Sequence, residues 1–173
     1  MNEINKITGR NYKLFNYYGV ADAEHVIVAM GSVSGAIQET IDALNKQGHK
    51  TGYLQIHLYR PFSMEHFFRE MPNSVKKITV LDRTKEPGAL GEPLYMDVCS
   101  AFVNQANRPL IYAGRYGLSS KDVTPSQIMA VYKNMMKDET KDHFTVGIND
   151  DVTHLSLQIE EELELIDEGA INC

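Results

Sequence analysis

The chain has 173 residues, 43% of them hydrophobic and 23% charged, with a formal net charge of -6. That is the length of one domain with enough apolar material for a core, and the acidic balance excludes the basic stripe that nucleic acid or an anionic membrane surface calls for. No apolar run approaches the roughly 20 residues of a membrane-spanning helix. The opening Met1–Lys6 has no apolar secretory segment, and Cys99 and Cys173 stand far apart outside any CxxC pair, so a reducing cytoplasm is expected.

Residues 1–24 are polar and irregular, with Tyr12, Phe15, Tyr17 and Tyr18 before Gly19; they read as an arm or linker packed on something, not as an element of their own. Val26–Met30 is a continuous apolar run ending in Gly31, the pattern of a strand buried on both faces. Val33, Ile37, Ile41 and Leu44 then fall on one helical stripe, and Gly48 is placed to end that helix. A second strand is predicted around Tyr53–Tyr59, where Leu54, Ile56 and Leu58 alternate with Gln55, His57 and Tyr59, giving one apolar face and one polar or partner-facing one.

Arg60-Pro61-Phe62 breaks the chain. Ser63 can cap a short helix with Met64, Phe67, Phe68 and Met71 on one face, and Pro72 stops it. Ile78–Leu81 reads as the third strand, and Pro93 as the first residue of a helix carrying Leu94, Val98, Ala101 and Phe102. Leu110–Ala113 is the fourth strand. Thr124, Pro125 and Gln127 spell a capping box that opens a helix with Ile128, Val131, Tyr132 and Met135 on one side. A last short strand is predicted at Phe144–Gly147. Strands alternating with helices predict a three-layer α/β/α fold with a mostly parallel sheet of about five strands and right-handed crossovers.

In such sheets ligands and partners meet the loops beyond the carboxyl ends of the strands. Those loops carry Arg60, Arg83, Lys85 and Arg115, which can converge as an anion or carboxylate clamp, with Ser119 and Lys121 beside them. The alternative is that each cation forms a salt bridge holding its own loop or a neighbouring domain. Gly31–Gly35 is GxxxG, neither a dinucleotide fingerprint nor a P-loop, and reads as a tight strand-to-helix turn. Ser32 and Ser34 have no GxSxG elbow around them, so no nucleophile is assigned.

Asp150, Asp151 and His154 have spacing compatible with a metal site, though a capped turn explains them as well. Cys99 reads as core beside Val98 and Phe102, and Met129, Met135 and Met136 as packing. From residues alone, the chain is a non-catalytic α/β module with a charged loop face. Left at that level, it could be a free-standing module binding a nucleotide- or coenzyme-like anion through its cationic loops.

Four long segments carry a resemblance. They are Leu58–Ser63 (LYRPFS), Leu81–Tyr95 (LDRTKEPGALGEPLY), Gly114–Asp122 (GRYGLSSKD) and His143–Leu157 (HFTVGINDDVTHLSL). Together they resemble, in the same order, the pyruvate:ferredoxin (flavodoxin) oxidoreductase family over about residues 7–157. The match is to the second core domain, which is similar to the transketolase C-terminal domain.

The resemblance implies residues 1–24 as an N-terminal arm or linker and 25–157 as the α/β domain. It implies 158–173 as an acidic linker with the truncated start of a following domain. For the whole enzyme it implies oxidative decarboxylation of pyruvate with coenzyme A to acetyl-coenzyme A and carbon dioxide. The cofactors implied there are thiamine diphosphate, magnesium, [4Fe–4S] clusters and coenzyme A, with none expected in this segment. Other domains of the same polypeptide are the implied partners, with ferredoxin or flavodoxin as acceptor and a full-length homodimer. The chain departs from the family pattern at Ser34-Gly35, where relatives often carry Cys-Glu, so no catalytic role is carried onto that loop.

Overall fold

In the computed structural model of the chain, the described residues are 2–148 and 152–159. Six strands form one sheet: β1 (Phe15–Gly19), β2 (His25–Met30), β3 (Thr51–Ile56), β4 (Lys77–Asp82), β5 (Leu110–Arg115) and β6 (Phe144–Thr145). Five α-helices join them: α1 (Asn2–Thr8), α2 (Ser34–Lys46), α3 (Met64–Glu70), α4 (Pro93–Phe102) and α5 (Pro125–Met136). The strand order is β1-β3-β2-β4-β5-β6, with β1 antiparallel to β3 and every other pairing parallel.

The strand periodicity divides the core between two faces. In β2, Ile27 and Ala29 join the cluster under α2 and α5, with Val33, Ile37, Ile41, Leu44, Ile128, Val131, Tyr132 and Met135. Val26 and Val28 point the other way, into the cluster under α3 and α4 with Phe67, Leu94, Val98 and Phe102. The sheet is therefore buried on both sides, which is why its central strands read as unbroken apolar runs.

The helices begin and end where short-range chemistry dictates. Ser63 accepts from the His66 backbone N–H at the start of α3, and Thr124 and Gln127 form a reciprocal capping box at α5. Gly48, at φ 88°, takes the left-handed conformation just past α2.

Three expectations are corrected. The first 24 residues do contain elements: α1, and β1 as the antiparallel edge strand, making six strands instead of about five. The cause is aromatic packing: the Phe15 ring is buried and meets Phe62 and Phe67 edge-on at 5.5 and 5.8 Å, which no periodicity in so short a segment reveals. The second strand ends at Ile56, so His57–Tyr59 are loop and Leu58 is 40% exposed. Within the strand both faces are buried: Tyr53 lies under α2 and α5 while Leu54 and Ile56 face α3 and α4. Cys99 is only half-buried, beside Tyr95 on the flank of α4 and not on its core stripe.

Candidate functional site

The chain leaves β2 for β3 on one side and then returns past β2 to place β4 on the other. The carboxyl ends of β2 and β4 thus border the reversal point of a doubly wound sheet, where such folds open a crevice. The turn after β2 and the loops after β4 and β5 meet there. Tyr116 donates its hydroxyl to Met30 O at 2.9 Å, and its N–H bonds Asp82 O at 3.0 Å. Arg83 reaches across with two long contacts, Nε to Gly117 O and Nη1 to Ser32 Oγ, both 3.4 Å.

The cations expected to converge separate into two groups. Arg115 is buried: its Nε donates to Glu92 Oε1 at 2.5 Å and its Nη1 to His143 O at 2.9 Å. Arg60 pairs with Asp97 Oδ2 at 2.6 Å and stacks over the Tyr59 ring at 3.9 Å, while the Tyr59 hydroxyl donates to the same carboxylate at 2.5 Å. Both arginines brace the frame, so the four-cation clamp does not form. Arg83 and Lys85 are exposed on the loop after β4, and Ser119 and Lys121 are exposed after β5.

That second loop takes an uncommon backbone. Gly117, Ser119 and Ser120 all lie in the left-handed region, at φ 60°, 57° and 58°, a cost for the two serines that the surrounding contacts must hold in place.

The residues that set this rim were not singled out in the sequence. Asp82, at the end of β4, accepts the N–H groups of Leu94 and Tyr95 at 3.2 and 3.1 Å. It therefore caps α4 from a neighbouring strand, while Glu92, which occupies the ordinary cap position, turns to Arg115 instead. Burial pushes the Asp82 carboxyl above its ordinary value despite those two bonds. An acidic residue directly before Pro93 was a local signal of a helix start, but its partner 23 residues on was not.

His154 lies exposed with its carbonyl accepting from Lys141 Nζ at 2.6 Å; Asp150 and Asp151 lie outside the described residues, as does Cys173. Among the described residues no three His, Cys, Asp or Glu side chains gather to hold a metal ion. No helix among them is long and apolar enough to cross a membrane.

Architecture and rim together define a doubly wound α/β domain whose carboxyl edge is braced by ion pairs and presents a few exposed cations. Residues 23–128 match the family described as pyruvate:ferredoxin oxidoreductase core domain II. The chain belongs to that family. It is 53% identical over 174 residues to the pyruvate-flavodoxin oxidoreductase of Enterobacter agglomerans and 49% identical over 173 residues to the pyruvate:ferredoxin oxidoreductase of Moorella thermoacetica. In both cases all of this chain is covered but only 15% of the relative, so the chain spans a small part of the length of the curated proteins it matches. Among solved structures, 2-oxoglutarate:ferredoxin oxidoreductase from Magnetococcus marinus, with 2-oxoglutarate, coenzyme A and succinyl-CoA bound, superposes with a TM-score of 0.55. That likeness covers 79% of this chain and 22% of the other at 21% identity, and it establishes the shared fold.

Proposed function

We propose that this chain serves as a non-catalytic scaffold and interface domain of an enzyme that oxidatively decarboxylates pyruvate with coenzyme A and reduces ferredoxin or flavodoxin. The observation that carries the reading is the use of the strongest charges at the carboxyl edge: Arg60 and Arg115 are committed to Asp97 and Glu92, so they brace loops and leave the rim as a shaped surface. A surface held this way suits docking of the other domains of the same polypeptide, in a full-length homodimer of the cytoplasm. On this reading the α/β unit runs to about residue 157.

Thiamine diphosphate, magnesium and [4Fe–4S] clusters belong, on this reading, to other domains of the enzyme. Coenzyme A is the group whose phosphates the exposed Arg83, Lys85, Lys121 and Ser119 would receive. Arg83 favours this second reading: its guanidinium is exposed and makes only long contacts, so it retains donors for an anion.

The test has two arms on the purified chain. With pyruvate, coenzyme A, thiamine diphosphate, Mg2+ and a viologen acceptor, no acceptor reduction is expected; sustained reduction refutes the scaffold reading. Calorimetric titration with coenzyme A, with thiamine diphosphate as control, decides the second. Saturable binding that weakens in Arg83→Gln makes the rim part of a coenzyme site, and no heat beyond dilution leaves it a docking surface.

A further inference from the structure

We propose that the groove beside the end of α5 is the seat of this chain's own acidic segment, residues 160–168, held there by Lys133 and Lys137. The path of the chain into that groove is fixed beforehand. After β6 the backbone of residues 155–157 adds to the sheet: Thr145 N–H bonds Leu155 O at 3.0 Å, and Leu157 N–H bonds Thr145 O at 2.9 Å. Lys141 Nζ clamps the same stretch from the side, donating to His154 O and Ser156 O at 2.6 and 2.9 Å. Leu157 packs against the cluster under α2 and α5. The chain therefore leaves the sheet in one direction, and Gln158 already lines the groove.

The groove has a volume of about 260 Å³ and lies between the end of α5 and residues 156–158. Lys133, half-buried, and Lys137, exposed, stand four residues apart and share one wall of it. Lys77 adds positive charge at that end, its Nζ donating to Lys137 O and Thr140 Oγ1 at 2.7 and 2.9 Å. Against these cations, Glu139 is the one acidic residue among the described lining. The groove is thus a basic feature on a chain whose net charge is -6.

The described residues end at Ile159, and the sequence continues Glu160-Glu161-Glu162-Leu163-Glu164-Leu165-Ile166-Asp167-Glu168. A chain spans at most about 3.6 Å per residue, so Glu160 starts within about 7 Å of Gln158 and Glu162 within about 14 Å. Contour length alone keeps the first carboxylates beside the lysines. An exposed ion pair is weak by itself, but the tether holds the carboxylates at a local concentration on the order of millimolar or above. Seated there, the segment fixes the direction in which the chain continues, along α5. The consequence for docking other domains rests on the interface reading above; the contact itself is measured in the chain alone, so the two fail separately.

Zero-length cross-linking of the chain at low protein concentration tests the proposal, with a water-soluble carbodiimide that joins an amine to a carboxylate in contact with it. Peptide mass spectrometry is expected to find intrachain links from Lys133 or Lys137 to residues 160–164, in preference to Lys85 or Lys121. In about 1 M salt, where the screening length is about 3 Å, their yield should fall about five-fold. Reversed charges supply a second measurement. Lys133→Glu with Lys137→Glu should lower amide protection at Gln158 and Ile159 about three-fold, the size of an exposed ion pair. Adding Glu160→Lys, Glu161→Lys and Glu162→Lys should restore it. Links that are absent, insensitive to salt, spread evenly over the lysines or formed only between two chains overturn the proposal, as does a reversal that fails to restore protection.

Discussion

Arg115, the last residue of β5, and Glu92, the residue before α4, form an ion pair whose side chains are 10% and 1% exposed. It ties the end of one strand to the start of a helix that follows a different strand. The second Glu92 oxygen has no hydrogen-bond partner among the described residues, so Arg115 is that carboxylate's principal compensation.

Removing one partner should therefore be worse than removing both. Glu92→Ala strands a buried guanidinium and is expected to cost about 3–5 kcal/mol, whereas Glu92→Met with Arg115→Met should recover most of that loss. Urea midpoints of the two variants against the native chain decide it. A double variant less stable than the single one contradicts the account.

Asp82 gives stability a pH dependence of known sign. Burial raises its carboxyl, and the nearby Glu92 and Asp97 charges add to the rise. The folded state thus holds this proton more tightly than the unfolded chain does. Stability through Asp82 is greatest where it is protonated, and is lost as pH rises from the unfolded aspartate range through the raised folded value. Asp82→Asn should flatten that slope and, by setting an NH2 group against one of the two α4 N–H groups, lower stability by about 1 kcal/mol at neutral pH. Thermal unfolding of both proteins across the acidic range is the measurement; equal slopes would show that the shift is absent.

Two glycines should respond in opposite directions to alanine. Gly35 lies in α2 with nothing within 4 Å of an added Cβ, so Gly35→Ala is expected to stabilise by about 0.5–1 kcal/mol through helix propensity. At Gly114 the new carbon would sit 2.7 Å from both Leu81 Cδ2 and Phe144 Cζ, and Gly114→Ala should destabilise by about 1–3 kcal/mol. Paired melting curves would read both signs at once.

Tyr132 is fully buried and donates its hydroxyl to Gly52 O at 2.8 Å, linking α5 to β3. Burial keeps that phenol neutral, with its pKa well above the ordinary value. Tyr132→Phe keeps the ring packing and removes the hydroxyl's bond to a carbonyl that also belongs to the sheet ladder, so a loss of about 1 kcal/mol is expected in denaturant titration. Unchanged stability would mean that the hydroxyl bond contributes nothing net to the fold.

Where a side chain's partner lay within a turn or one period of itself, the sequence was readable. Val33, just before α2, and Ile37, Ile41 and Leu44 within it are buried as their spacing predicts, and Thr124 and Gln127 cap α5 as their separation of three predicts. The order of segments around LDRTKEPGALGEPLY and GRYGLSSKD was specific enough to name the family that residues 23–128 match.

The fates of Arg60, Arg83, Lys85 and Arg115 were not readable, because all four share one charge and one kind of loop. Chain topology separates them. The end of β5 runs beside the start of α4 and buries Arg115 on Glu92; the β3–α3 loop lays Arg60 on Asp97; the loop after β4 leaves Arg83 and Lys85 exposed. Likewise β1 exists because Phe15 finds Phe62 and Phe67, residues 47 and more positions away, and His143 Nε2 meets Leu90 O only because the fold brings the loop after β4 to the start of β6. Local periodicity and capping are properties of neighbouring residues and are written in the chain. Pairing of charges and rings across the sheet depends on which strands lie side by side, and only the folded topology decides that.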